Sequence, residues 1–309
     1  MTGEQPILVT GATGSVGGVG RLVADALRQR DLPVRTLVRV DDERAEVLRA
    51  LGTEVVVGDL THGADVARAL DGCGRMYFGM GVSAQYLEAT VTVAAAARHY
   101  GSLDVLVNMS QMTVSQMDLT STAESAQQHQ HWLAEKVLNW SDLPVTHIRP
   151  TVFLENPLFR IFAYESMAKD STIRLPFGTG RTSPVAAVDV AKVITTILTD
   201  PAPHIGHNYE LTGPTSQDLT ELAAEFSTVL GRPIHYLNPP YDQWINQELR
   251  SLNLPDHVFE HLATMARLHA HNRYDRATND IEQITGQPPT DIREYVQNNP
   301  TLFLLNSPH

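Results

Sequence analysis

One cysteine, Cys73, and no cluster of Lys and Arg occur in the 309 residues of this chain. A single thiol excludes an intrachain disulfide framework and a cysteine-built zinc site. Asp and Glu number 35 against 23 Lys and Arg, for a formal net charge of −12. That balance argues against a nucleic-acid or anionic-membrane surface, since either needs a basic patch. No apolar run reaches the length of a membrane span, and residues 7–10 are far too few for a signal-peptide core. With 42% hydrophobic and 19% charged residues, the composition is that of an ordinary globular protein, and a cytoplasmic location is the default expectation. The length suits one large α/β unit or two coupled domains, and homo-oligomerisation stays open.

What is present is a regular alternation in the first half. Short β-branched runs at 6–10, 33–39, 53–57, 75–79, 103–108 and 144–149 predict strands. Amphipathic patterns near 17–30, 43–51, 64–71, 83–100 and 123–141 predict the helices between them. Such alternation predicts a parallel sheet with helices on both faces. After Pro150 the rhythm breaks: 156–182 ends in PFGTG, an apolar run and helix follow at 185–200, and then come HNYELTGPT and several helices. This half reads as a smaller, helix-rich lobe on the carboxyl edge of the sheet.

Gly11, Gly14 and Gly17 form G-x-x-G-x-x-G directly after the first strand and directly before the first helix. The turn must reverse tightly, bring backbone up to a pyrophosphate and let helix and strand pack closely; a Cβ obstructs all three. The N–H groups opening the helix then face the phosphates. Thr13, Ser15 and Val16 lie between the glycines and belong to the same expected contact. Gly18 and Gly20, read as helix-interior residues, each cost about 1 kcal/mol relative to alanine, which points to close contact with backbone or ligand. The pattern therefore predicts a dinucleotide. Where a free ribose hydroxyl usually meets an acid, the second strand ends in Arg39, a guanidinium suited to a 2′-phosphate. NADP is favoured, with NAD as the alternative. Asp41 and Asp42 are better placed to start the next helix.

VTGATGSVGG, Arg39, GDL at 58–60, THIRPTVFLENPL at 146–158 and YELTGP at 209–214 together resemble the NmrA-like group of atypical short-chain dehydrogenases/reductases. LTELAAEFSTVLGRPIHY and ITGQPPTDIREYV extend the likeness over nearly the whole chain. The resemblance implies a Rossmann-type doubly wound domain over 1–155 and a substrate-side lobe over 156–309, with 185–200 returning to the first domain. It also implies that Asp59 and Leu60 lie by the adenine, Gly79 and Met80 near the cofactor's middle, and Pro150, Thr151 and Phe153 beside the nicotinamide.

Ordinary members of the wider superfamily carry Y-x-x-x-K on the helix after the fifth strand, with a serine at that strand's end. Registering this chain on Glu135, Leu138, Thr146, Arg149 and Pro150 puts Gln127 at the tyrosine position and His131 at the lysine position. Gln111 falls at the serine position, next to Ser110. A shifted register pairs Trp132 with Lys136, but the tyrosine is missing either way. His131 can bond the nicotinamide ribose, deliver a proton or simply be structural; Gln127 and Gln111 can orient a carbonyl but cannot act as acids.

That absence weighs on the chemistry. Reducing a simple ketone makes an alkoxide about as basic as hydroxide, whose parent water has a pKa of roughly 15.7, so it needs a positioned acid. Reducing a quinone makes a phenolate, comparable to tyrosine with a pKa of about 10, which water can protonate. The sequence therefore favours an NADPH-dependent reductase of a quinone or polycyclic aromatic compound. A variant couples that reduction to O2 in natural-product tailoring, and a rival is an NADP-sensing regulator without turnover. Met80, Met112, Met117, Phe153, Asn156, Phe159, Phe162, Tyr241 and Trp244 are candidates for the substrate pocket. HVFEH at 257–261 matches a zinc-protease pattern by spacing alone, and no metal is expected.

Overall fold

A computed structural model describes residues 4–14 and 16–304. The first half alternates as the sequence predicts: β1 (Ile7–Thr10), α1 (Val19–Arg28), β2 (Val34–Val38), α2 (Glu43–Ala50), β3 (Glu54–Val57), α3 (Gly63–Leu70), β4 (Arg75–Phe78), α4 (Tyr86–Tyr100), β5 (Val105–Met109), α5 (Ala126–Trp140) and β6 (Val145–Pro150). Pro157–Phe159 (α6), a π-helical turn at Arg160–Glu165 and Ser166–Asp170 (α7) then run on as one segment, followed by β7 (Thr172–Arg174) and α8 (Ala187–Thr199). The remainder comprises β8 (Asn208–Leu211), α9 (Leu219–Leu230), β9 (His235–Leu237), α10 (Tyr241–Gln247), α11 (Asp256–Ala270), α12 (Asp280–Thr285) and α13 (Ile292–Asn298).

Seven strands form one sheet in the order β3-β2-β1-β4-β5-β6-β8, and every pairing is parallel. This is the expected Rossmann-type doubly wound sheet. Helices cover both faces, so a central strand such as β1 is buried at all four positions, which is why it reads as an apolar run and not as an alternation. The strand order reverses between β1 and β4, and a crevice opens at such a point beyond the carboxyl ends. Ser125 and Gln128 form a capping box that fixes the start of α5, and Asp42 caps α2 as its position suggested.

A core on one face joins α1 and α8 to the sheet through Val23, Leu27, Val190 and Ile194; the opposite face packs α3, α4 and α5 through Leu70, Val93 and Leu138. A third core, including Phe162, Phe226 and Trp244, gathers most of the second half beside the small parallel pair β7-β9. The chain's return to the sheet involves more than residues 185–200: β8 extends the sheet edge, and Ile281 of α12 joins the α1–α8 core.

The first helix starts later than the pattern near 17–30 suggests. Gly17 and Gly18 both have positive φ, so Gly18 caps α1 from outside and is not an interior residue. Gly20 is interior, and the close approach inferred for it is present. A Cβ there would stand 2.8 Å from Thr10 O, Gly11 C and Ala12 N, all backbone atoms that cannot yield cheaply. Gly20→Ala should therefore destabilise the protein by about 1–3 kcal/mol, the range for overpacking, despite gaining about 1 kcal/mol of helix propensity. Urea unfolding measures this; an equally stable or more stable variant would show that strand and helix separate easily.

Candidate functional site

The glycine turn is built against the end of β4. Thr10 Oγ1 donates to the Gly79 carbonyl at 2.8 Å and accepts from the Gly79 N–H at 2.9 Å. Gly11 takes φ +68°, and a Cβ there would lie 2.6 Å from Gly79 O, so both conformation and space require glycine. The Gly14 N–H closes the turn on Gly11 O at 3.1 Å. Gly17 lies against α8, where a Cβ would fall 2.6 Å from Ala187 Cβ. Helix α1 has no side-chain cap and no acid in its first turn. Its leading N–H groups are left for an anion, the arrangement a diphosphate uses. Val16 is exposed at the rim and Thr13 half-buried. Ser15 lies outside the described residues.

Where the sequence leads one to expect the adenosine, Arg39 is exposed just past β2, and its charge reaches Asp59. The Thr61 N–H and hydroxyl, both donating to Asp59 Oδ1 at 2.8 Å, hold that carboxyl below its ordinary range, with Arg39 adding a smaller effect. Asp59 is thus a turn cap and a neighbour of Arg39 at once. Leu60 is half-buried beside it. Arg44, which the sequence reading overlooked, donates to the Thr13 carbonyl at 3.3 Å and pairs with Asp42 at 2.6 Å. The signal lay in the cap itself: a residue two places past Asp42 sits in the first turn of α2, beside the glycines.

At the carboxyl ends of β5 and β6, α5 turns Gln127, His131 and Glu135 inward. The Gln127 carbonyl accepts from the Ser83 N–H at 3.0 Å, which leaves its amide to donate to His131 Nε2 at 3.1 Å. The His131 proton therefore sits on Nδ1, a buried N–H with no partner among the described residues. Burial pushes the His131 pKa down to about 3, with His261 adding to the effect. A neutral imidazole holds no ready acidic proton at pH 7, so the proton-delivery role is removed and the hydrogen-bonding role remains. Thr151, whose Oγ1 is likewise buried and unpartnered, follows Pro150 at the end of β6. These orphaned atoms and the uncapped turn suit a nicotinamide cofactor.

The residues used for registering the sequence have structural work of their own. Glu135 takes two hydrogen bonds from Arg149, at 2.9 and 2.5 Å, in a buried bidentate pair. Lys136 lies 5.0 Å over the Trp132 ring on the other side of α5, away from His131. Gln111 is half-buried after β5, and the Ser110 hydroxyl next to it faces Glu135.

The pocket residues divide. Met80 and Phe153 are half-buried at the sheet edge, where Phe153 bridges to Val185. Met112, Phe159 and Trp244 are fully buried in the third core, Phe162 is nearly so, and Met117 is buried outside it. Their apolar surfaces are consumed by packing: Trp244 meets Phe162 edge-on at 4.9 Å. Tyr241 spends its hydroxyl on the Ala263 carbonyl, and Asn156 spends its side chain capping α6 through the Leu158 N–H. A surface groove of about 770 Å³ runs along α9 and β9, lined by residues such as Thr220, Ser227 and Tyr236, none of them expected at the site.

A polar seam joins the start of α5 to α11 and to Tyr274. The Ser125 Oγ meets His261 Nδ1 at 2.8 Å, and the buried Gln128 amide reaches Thr113 Oγ1 at 3.3 Å and the Tyr274 hydroxyl at 3.5 Å. His261 belongs to the HVFEH stretch set aside in the sequence. Among the described residues no group of three His, Cys, Asp or Glu side chains is placed to hold a metal.

A family model described as NAD(P)H-binding matches residues 11–201, which includes the glycine turn, Arg39, α5 and the end of β6. The chain belongs to the NAD(P)H-binding family. Within it, the chain is 30% identical to (4-alkanoyl-5-oxo-2,5-dihydrofuran-3-yl)methyl phosphate reductase of Streptomyces griseus, covering 94% of this chain and 96% of that protein. It is 24% identical to NAD(P)H azoreductase of Xenophilus azovorans over 96% of this chain and 99% of the relative. The structure of an NADPH-dependent quinone oxidoreductase from Escherichia coli complexed with NADPH shares the fold, with TM-score 0.81, 23% identity, and coverage of 95% and 99%. The fold implied by the NmrA-like resemblance is borne out, the NADP complex of the negative transcriptional regulator NmrA sharing it with TM-score 0.76, 16% identity, and coverage of 95% and 94%; this NAD(P)H-binding family member is an NAD(P)H-dependent oxidoreductase.

The buried histidines make stability depend on acidity. Burial lowers the pKa of His131, His147, His261 and His269 to about 3, 4, 4 and 3. Unfolded, each takes a proton near pH 6.5; folded, each resists until far lower pH. Their contribution is thus complete above about pH 6.5 and drains as pH falls, by up to about 1.4 kcal/mol per pH unit for each histidine. Urea unfolding at a series of pH values should show stability dropping from pH 6.5 toward 5; a flat profile would mean that these rings are solvated.

Proposed function

We propose that the chain uses NADPH to reduce a quinone or another flat, conjugated aromatic acceptor. One observation carries the reading: in the register set by Glu135, Leu138, Thr146, Arg149 and Pro150, the positions of the usual tyrosine and lysine are held by Gln127 and by a buried His131 whose pKa burial pushes down to about 3. When bound, the cofactor supplies a hydride. The protein's part is to hold and orient. Gly11, Gly14, Gly17 and the start of α1 would grip the diphosphate, Arg39 would meet the 2′-phosphate, and His131 Nδ1–H and Thr151 Oγ1 would meet ribose or carboxamide oxygens. None of these side chains is a ready acid, so the product oxygen must tolerate protonation by water. A phenolate does; a simple alkoxide, roughly five to six pKa units more basic on the figures for tyrosine and water, does not. The azoreductase and quinone oxidoreductase relatives support a conjugated acceptor.

Purified protein should oxidise NADPH when offered naphthoquinones and show little turnover with simple ketones. The same rates are expected without O2. Consumption of O2 beyond that of the free hydroquinone would indicate the oxygen-coupled variant, and cofactor binding without turnover on any acceptor would indicate a sensor. His131→Ala should slow turnover and weaken the binding of NADPH, since it removes a cofactor contact; unchanged rates and affinity would remove His131 from the site.

A further inference from the structure

His261 sits on α11, 136 residues along the chain from Ser125, yet its ring closes on the residue that caps α5. Ser125 Oγ already accepts from the Gln128 N–H at 3.3 Å. Its own buried proton has one acceptor among the described residues, His261 Nδ1 at 2.8 Å. A buried hydroxyl proton is rarely left unpaired, so Nδ1 accepts and the ring's proton resides on Nε2. His261 as a residue is 7% exposed, and its Nε2 has no hydrogen-bond partner among the described residues. His261 therefore carries one N–H, fixed in tautomer by Ser125, beside the first turn of α5. Gln127 is two residues past Ser125 on that turn, and His261 is near enough for its charge to act on His131.

We infer that His261 is a substrate-binding catalytic residue, whose Nε2–H hydrogen-bonds the acceptor oxygen that becomes negative as the acceptor is reduced. The assignment rests on the quinone-type acceptor proposed above. Overall, acceptor, NADPH and one proton give hydroquinone and NADP+: two electrons and a hydrogen nucleus arrive as hydride, and the second proton comes from water. His261 keeps its own proton throughout. Because burial holds its pKa to about 4, it is neutral at pH 7 and acts as a dipole, not as an acid. A neutral imidazole that polarises a carbonyl is an established way to stabilise such charge. A donor on α11, its tautomer set by Ser125, would stand in for the phenol missing from α5.

The test uses the protein saturated with NADP+, so that nothing turns over, and compares binding of the naphthoquinone lawsone, an oxyanion at neutral pH, with that of its uncharged methyl ether. The wild type should prefer lawsone. His261→Ala should erase that preference by about 10-fold or more, the worth of one hydrogen bond to a charged group. His261→Gln, which keeps an N–H, should restore part of it, and the affinity for NADP+ should be equal in all three proteins. If His261→Ala does not fold, His261→Phe keeps the ring volume without the donor and carries the same comparison. A wild type without the preference, or a preference unchanged on losing the N–H, would overturn the assignment. Failure of the broader reading looks different: the wild type would then not oxidise NADPH with any quinone.

Discussion

The site depends on one short bridge. Thr10 at the end of β1 and Gly79 just past β4 exchange two hydrogen bonds through a single hydroxyl, at the place where the strand order reverses. Gly79 leaves no room for a Cβ at Gly11, and the backbone of Thr10, Gly11 and Ala12 leaves none at Gly20. The first helix is thereby seated directly on the strand that feeds it, with its amino end uncapped and free of acids. A diphosphate fits such an end because amide dipoles and unpaired N–H groups point the same way. Position of the cofactor, and with it everything downstream, follows from how closely two strand ends meet.

Around that fixed point the charge distribution is uneven in a useful way. Arg39, Arg44 and Asp59 lie past the ends of β2 and β3, where water screens the two exposed arginines and long side chains can adapt. Along the inward face of α5 the charge is balanced: Gln127 and His131 are neutral, and the buried Glu135–Arg149 pair cancels within itself. Breaking one partner of such a pair is expensive, about 3–5 kcal/mol, which explains why both residues are needed where they are. A neutral wall favours an acceptor whose reduced form needs little help with protonation. It also leaves the protein free to stabilise developing charge with oriented dipoles, which require no proton exchange.

The sheet was legible in the sequence because burial on both faces writes itself as apolar runs, and helices between them write a 3.6-residue rhythm. The glycine turn was legible for a different reason: spacing, preceding strand and following helix all constrained the same residues. Its exact junction was not, since positive φ at Gly17 and Gly18 removes two residues from α1 without changing the pattern. The substrate side was the least legible part. Apolar residues that line a pocket and apolar residues that fill a core have the same periodicity, so Phe159 and Trp244 read as pocket and proved to be core. Conversely, the Ser125–His261 contact joins positions too far apart for any local pattern to reveal. Asn156 shows a third limit, because a polar residue before Pro157 fits a helix cap as well as a binding site.

Hydrogen–deuterium exchange with and without NADP+ tests the central claim most directly, since it reports on backbone amides one segment at a time. The account predicts slowed exchange at the glycine turn and the start of α1, at residues 79–81 after β4, and at the ends of β5 and β6, with α9 and β9 unchanged. Protection confined to the second lobe, or none at the glycine turn under saturating cofactor, would contradict it.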